Sequence, residues 1–195
     1  MAPTQKTPVT PKLAATPGQT VGPFFGYALP YEKDCELINQ AHSGSVRLHG
    51  TVFDGHGGEV PDCILEIWQA DGDGNIVQET GSLRRDGYTF TGWGRAASDY
   101  AGGYTFTTLN PGPTKPGSAP FIAVVFFARG LMNKLHTRVY PPEDAEALAN
   151  DPLLKSLPAD RRRTLIASRE PDGGLLWDIH LQGEDETVFL SFPGA

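Results

Sequence analysis

Apolar residues recur at every second position in several short runs of this chain, and nowhere at the spacing of a long amphipathic helix. From Ser45, the residues Val46, Leu48 and Val52 alternate with Arg47, His49 and Thr51, which predicts a strand with one face turned inward. A turn at Asp54 to Gly58 leads to a second predicted strand, Cys63 to Gln69. Beyond Asp71 the pattern is irregular until Tyr104 to Thr108, which alternates again before Asn110 to Pro113 breaks it. Phe121 to Phe127 is almost wholly apolar and predicts a strand covered on both faces. Leu135 to Tyr140 alternates once more, and two further strands are predicted near Leu175 to Leu181 and Thr187 to Phe192. One helix is expected, Pro142 to Asn150. Pro142 suits a first turn, Glu143 and Asp144 complement the positive end of the helix dipole, and Pro152 stops it. Short strands between turns, with one or two short helices, predict an all-β fold, a two-sheet β-sandwich.

Composition sharpens this picture. The 195 residues include 23 glycines and 17 prolines, a supply of turn formers that fits many short strands. A net charge of −7 argues against a nucleic-acid or anionic-membrane partner, and no apolar run is long enough to span a bilayer. Residues 1–15, rich in Thr, Pro, Lys and Ala, are expected to form a flexible arm, and 16–195 a single domain. The N-terminus lacks the apolar stretch of a secretory signal, so the cytoplasm is the expected compartment. The two cysteines, Cys35 and Cys63, form no C-x-x-C pair, and Cys63 reads as a small buried hydrophobe.

Few residues suggest chemistry by spacing alone. Asp71, Asp73 and Asn75 begin like a calcium loop, but Ile76 stands where glycine is needed and Ser82 where glutamate is, so a hairpin turn is expected. The five histidines, His42, His49, His56, His136 and His180, show no metal-ligand spacing. The triplet Arg161 to Arg163 reads as a solvated face. Arg129 stands apart because it follows the apolar run directly and precedes Gly130. A guanidinium there needs an anion, supplied either by an internal ion pair or by a carboxylated ligand at a pocket mouth.

Three groups of segments, in this order and spacing, resemble the intradiol ring-cleaving dioxygenases. They are Thr16 to Phe25; Leu65 to Asp71 with Gly92 to Arg95 and Gly103 to Pro113; and Phe127 to Gly130 with Leu135 to Tyr140 and Gln182 to Phe189. The resemblance implies a transthyretin-like sandwich and a ferric ion held by two tyrosines and two histidines, hard phenolate donors completed by imidazole. In this chain the four positions carry Ile76, Thr114, Phe121 and Ala123; a shift of one residue places Ile122 and Val124 at the last two. No metal site of the family type is therefore expected here. What is implied is the non-catalytic, alpha-type chain of a heteromeric member, paired with a homologous beta chain that binds Fe(III) and further oligomerised. The substrates implied are protocatechuate and O2, and Thr20, Gly22, Pro23, Phe24 and Arg129 would form one wall of a shared pocket. Phe24 brings a ring there without the hydroxyl that many family members carry. Two other readings stay open: a metal-free transthyretin-like binding or structural module, and a self-sufficient dioxygenase with a metal site built from His136, His180 and nearby tyrosines.

Overall fold

The computed structural model describes residues 14–20, 22, 24–79 and 85–192. Nine strands build two sheets: β1 Ser45–Phe53, β2 Cys63–Gln69, β3 Trp93–Ala97, β4 Gly103–Leu109, β5 Ile122–Ala128, β6 Leu135–Val139, β7 Ser168–Arg169, β8 Leu175–Leu176 and β9 Ile179–His180. One sheet runs β4-β1-β8-β7, with β9 also paired to β1; the other runs β3-β2-β5-β6. Between them lies the core, where Val46, Leu48, Val52 and Phe106 of the first sheet meet Leu65, Ile67, Ile122, Val124, Phe126 and Val139 of the second. Burial of these large side chains is the main force holding the sheets together. The predicted two-sheet sandwich is the observed fold.

A pair of buried polar side chains links the sheets at one end. Gln69, 2% exposed, donates through Nε2 to the Leu109 carbonyl at 2.8 Å and accepts from Thr108 Oγ1 at 2.7 Å. Both partners lie on β4, so the amide joins β2 of one sheet to the other, with its polar atoms satisfied as a buried site requires.

The elements depart from the sequence pattern in several places. Between Asp71 and Tyr104 lies a strand the pattern did not predict, β3, whose inward positions are Gly94 and Ala96 and carry almost no hydrophobic signal. β5 is not covered on both faces: Ile122, Val124, Phe126 and Ala128 are buried, but Ala123, Val125 and Phe127 are only half-buried. The segment Asp71 to Asn75 is a turn in which Asp71 Oδ1 accepts from the N–H of Asp73 and of Asn75, at 2.9 and 2.8 Å; no strand follows it directly, so it is not a hairpin. Leu175 to Leu181 breaks into β8 and β9, because Trp177 between them turns its indole inward to donate to the Thr164 carbonyl at 2.9 Å. Thr187 to Phe192 makes only a single bridge, Leu190 to His136.

Helices are more numerous than expected. α1 is Phe25–Ala28, α2 Ala145–Asn150, α3 Pro152–Ser156 and α4 Ala159–Arg162, continued by a 3-10 turn at Arg163–Leu165. α2 begins after Asp144, whose carboxylate accepts from Ala147 N–H at 2.9 Å, rather than at Pro142. Pro152 starts α3 instead of ending a helix, since Asp151 caps it by accepting from Leu153 and Leu154 N–H at 2.9 and 3.0 Å. These helices enclose a second, smaller core of Tyr140, Leu148, Leu154 and Leu165. No helix among the described residues is long and apolar enough to cross a membrane. Of the predicted arm, residues 1–13 lie outside the described residues.

Candidate functional site

The outer face of the β3-β2-β5-β6 sheet carries Ala123, one of the residues singled out above, among Trp68, Trp93 and Arg138. Antiparallel register sets Trp68 between Trp93 and Ala123, and Ala123 beside Arg138. Trp68 is 48% exposed and Ile76 62% exposed, so this face presents apolar surface to its surroundings. Arg95 fixes one flank: it grips Glu66 Oε1 through Nε and Nη2 at 2.9 and 2.6 Å, lies over the Trp93 ring, and donates from Nη1 to the Leu29 carbonyl at 2.7 Å. That last bond ties the end of α1 to the sheet.

The loops carrying Ile76 and Thr114 are pressed together. Gly112 N–H donates to the Asp71 carbonyl at 2.7 Å, and the backbones of Gly72 and Gly74 approach those of Gly112 and Pro113 so closely that a Cβ on Gly74 or Gly112 would collide with backbone atoms. Gly74, at φ +85°, also needs the left-handed conformation. These contacts draw the loops that carry Ile76 and Thr114 together, and the side chains at the four positions implied by the resemblance do not fit a ferric ion. Ile76, Phe121 and Ala123 have no donor atom, and Thr114 offers a neutral hydroxyl. A cation lies against one of these positions: the Arg138 guanidinium is 4.0 Å from the centroid of the Phe121 ring and donates weakly to Tyr140 Oη at 3.5 Å. His136 and His180 are not brought together, as they sit on different sheets, one edge-on to Phe192 and the other stacked on Phe53.

The residues expected to wall a pocket are brought together only in part. Thr20 and Gly22 are exposed, and no atom lies within 4 Å of where a Cβ on Gly22 would stand. Phe24 is 79% exposed; Pro23 lies outside the described residues. Upstream of them the backbone at Gly18 rests on Met132, which follows Arg129 by three positions. Arg129 Nη2 stands 3.0 Å from Asp62 Oδ2, with the two side chains 58% and 34% exposed. Register explains this pair: Cys63 lies opposite Ala128, so the residues just outside them, Asp62 and Arg129, face each other across the strand ends. Asp62 also lines a cavity of about 230 Å³ with Gly26, Tyr27, Pro61, Ser98 and Tyr100. Gly26 and Tyr27 of α1 and Arg129 thus each meet Asp62, while Thr20, Gly22 and Phe24 do not line this cavity. Next to it, burial pushes the Cys63 thiol up to about 12, which leaves it inert as a nucleophile.

A recess of about 890 Å³ on the opposite sheet is lined by Arg47, Asn110, Glu143 and Arg169. Its guanidinium at Arg169 is already engaged by Glu143, Asn110 and the Gly173 carbonyl, at 2.5, 2.8 and 2.7 Å. Little is left there to recognise a ligand.

Comparison with known proteins bears on the first of these surfaces. A family model described as Dioxygenase matches residues 21–183. The chain is 37% identical over 194 residues to the alpha chain of protocatechuate 3,4-dioxygenase from Burkholderia cepacia, covering 91% of this chain and 98% of that one. It is 38% identical over 200 residues to the Pseudomonas putida alpha chain, covering 92% and 98%. The chain belongs to the intradiol dioxygenase family. Within the family it also matches the beta chain of the Burkholderia cepacia enzyme, at 31% identity over 152 residues, 71% of this chain and 64% of that one. Among solved structures, the family fold is shared with the dioxygenase domain of a carbohydrate-binding fusion protein from Streptomyces sp. SirexAA-E, at a TM-score of 0.54 and 22% identity, covering 87% of this chain and 99% of that one.

The sequence marked Arg129 as a cation in need of an anion, but marked neither Asp62, which pairs with it, nor Arg138, which lies on Phe121. Asp62 became visible only once the register of β2 and β5 was known. Arg138 carried a usable signal, since it alternates with Thr137 and Val139 and so had to lie on the outer face.

Proposed function

We propose that this chain is the metal-free, alpha-type subunit of an intradiol dioxygenase, working with a homologous iron-bearing beta chain. The reaction is cleavage of protocatechuate by O2 between its two hydroxylated carbons, giving 3-carboxy-cis,cis-muconate. One observation carries the reading: a family match over residues 21–183 in a chain whose positions implied for the ligands by the resemblance are Ile76, Thr114, Phe121 and Ala123, with Arg138 lying on Phe121. Oxygen chemistry belongs to the partner's metal. This chain contributes an apolar face for docking, a pocket wall from Thr20, Gly22, Pro23 and Phe24, and the positive charge of Arg129. The half-exposed Trp68, Ala123, Val125 and Phe127 supply the kind of apolar surface that a homologous sheet would cover. We place the assembly in the cytoplasm, where Cys35 and Cys63 stay reduced.

The test is expression of this chain with and without the beta homologue. Alone it should purify without iron and without the tyrosinate-to-iron colour; together the two should copurify as an active, coloured complex. Iron-dependent ring cleavage by this chain alone would overturn the reading. Persistent separation of the two chains would favour an independent binding module. In the complex, Arg129→Ala should raise KM for protocatechuate roughly 3- to 10-fold, the effect of one partly screened charge contact, and leave catechol nearly unchanged.

A further inference from the structure

We propose that Asp62 is a specificity-determining residue of the shared pocket, setting how strongly Arg129 attracts anions. The inference rests on the reading of Arg129 as the cation that meets the substrate carboxylate. Among the described residues Arg129 meets Asp62 through a single contact, Nη2 to Oδ2 at 3.0 Å, which engages one of its five N–H donors. The two are partly exposed, so the contact is too weak to immobilise the guanidinium, yet the opposite charge beside it offsets much of the attraction a ligand feels at a distance. The adjacent strands force the pairing, because the register of Cys63 with Ala128 places Asp62 across from Arg129 whatever else the pocket holds.

The chemistry gives the counter-charge a purpose. Protocatechuate carries one carboxylate at neutral pH. Insertion of both oxygen atoms of O2 across the bond between the two hydroxylated carbons turns each into a carboxylate, so the product carries three. An unbalanced guanidinium would hold this product more tightly than the substrate. Asp62 tempers the field at Arg129, favouring release at some cost in substrate affinity.

Position 62 allows a clean test. Asp62 has φ +61°, a left-handed conformation that Asn and Gly accept and most other residues resist. Asp62→Asn therefore removes the charge with the backbone in place, and Asp62→Gly does so with no side chain at all. In the complex with the beta homologue, both variants should lower KM for protocatechuate about 2- to 5-fold and lower the inhibition constant of the ring-opened product by more, with KM for catechol unchanged. In an Arg129→Ala background the same substitutions should do nothing. A rise in KM for protocatechuate on Asp62→Asn would mean that Asp62 merely tethers Arg129, and equal shifts for protocatechuate and catechol would mean a structural disturbance; either result overturns the proposal. If Arg129→Ala impairs protocatechuate selectively but Asp62→Asn and Asp62→Gly change nothing, the inference fails and the reading of Arg129 survives. If Arg129→Ala shows no selectivity, both fall.

Discussion

At Gly94 the buried side chain of Leu37 crosses the inner surface of β3, and any Cβ would run into Leu37 Cδ1 and stand 3.2 Å from the Asp34 carbonyl oxygen. Gly94→Ala should destabilise the protein by about 1–3 kcal/mol, as overpacked cores do, measurable as a lower midpoint in urea. The same glycine concealed β3 from the sequence pattern, because a strand whose inner face is Gly and Ala shows no hydrophobic alternation. Cys63 was the opposite case, legible as a buried hydrophobe and found 1% exposed. Its thiol is neutral in the fold, with a pKa pushed from 9.0 to about 12 by burial. The folded state accepts only the protonated form, so the stability this contributes is intact below about pH 9 and is lost as the pH rises through about 12. At pH 8 Cys63 should resist alkylation in the native protein and label readily after unfolding, read by mass spectrometry of the labelled peptide. Arg129 was legible as a cation in need of an anion. Its partner was not, since a cross-strand neighbour far away in sequence is fixed by register alone.

The strands with clear alternation, β1, β2, β4 and β6, were read from the sequence nearly to their ends. What failed were elements defined by caps and breaks. Pro152 looks like a terminator, yet behind an aspartate it is a helix start, and Asp151 turns the chain from α2 into α3 without a loop. Asp151 is 6% exposed and accepts from Leu153 N–H, Leu154 N–H and Tyr140 Oη, the last at 3.2 Å, so one carboxylate closes both the helix and the smaller core. Asp151→Ala should cost about 2–3 kcal/mol, the combined loss of a cap and a buried acceptor, and should lower the thermal midpoint. Asp151→Asn, which keeps an accepting oxygen, should recover much of that loss. β5 misled in another way: an unbroken apolar run was taken for burial on two sides, whereas within this chain only one side is buried.

For the whole molecule, if that half-covered face docks the beta homologue as proposed, it separates the chain's stability from its function. Trp68→Glu changes an exposed side chain and should leave urea unfolding of the isolated chain within about 1 kcal/mol of the parent, while sharply reducing copurification with the beta homologue. Architecture at this scale was legible from strand count, turn composition and the family resemblance. The guanidinium at Phe121 was not, because no local pattern says which ring an arginine will lie on.

The backbone contact of Gly72 and Gly74 with Gly112 and Pro113 has a consequence for how such a subunit matures. These loops are clasped by peptide against peptide, so the clasp itself calls for no metal. If the beta homologue alone holds the iron, as proposed, a chelator should leave this chain's melting curve unmoved, and a cell starved of iron would still hold a stock of finished alpha-type chains waiting for their metal-loaded counterparts.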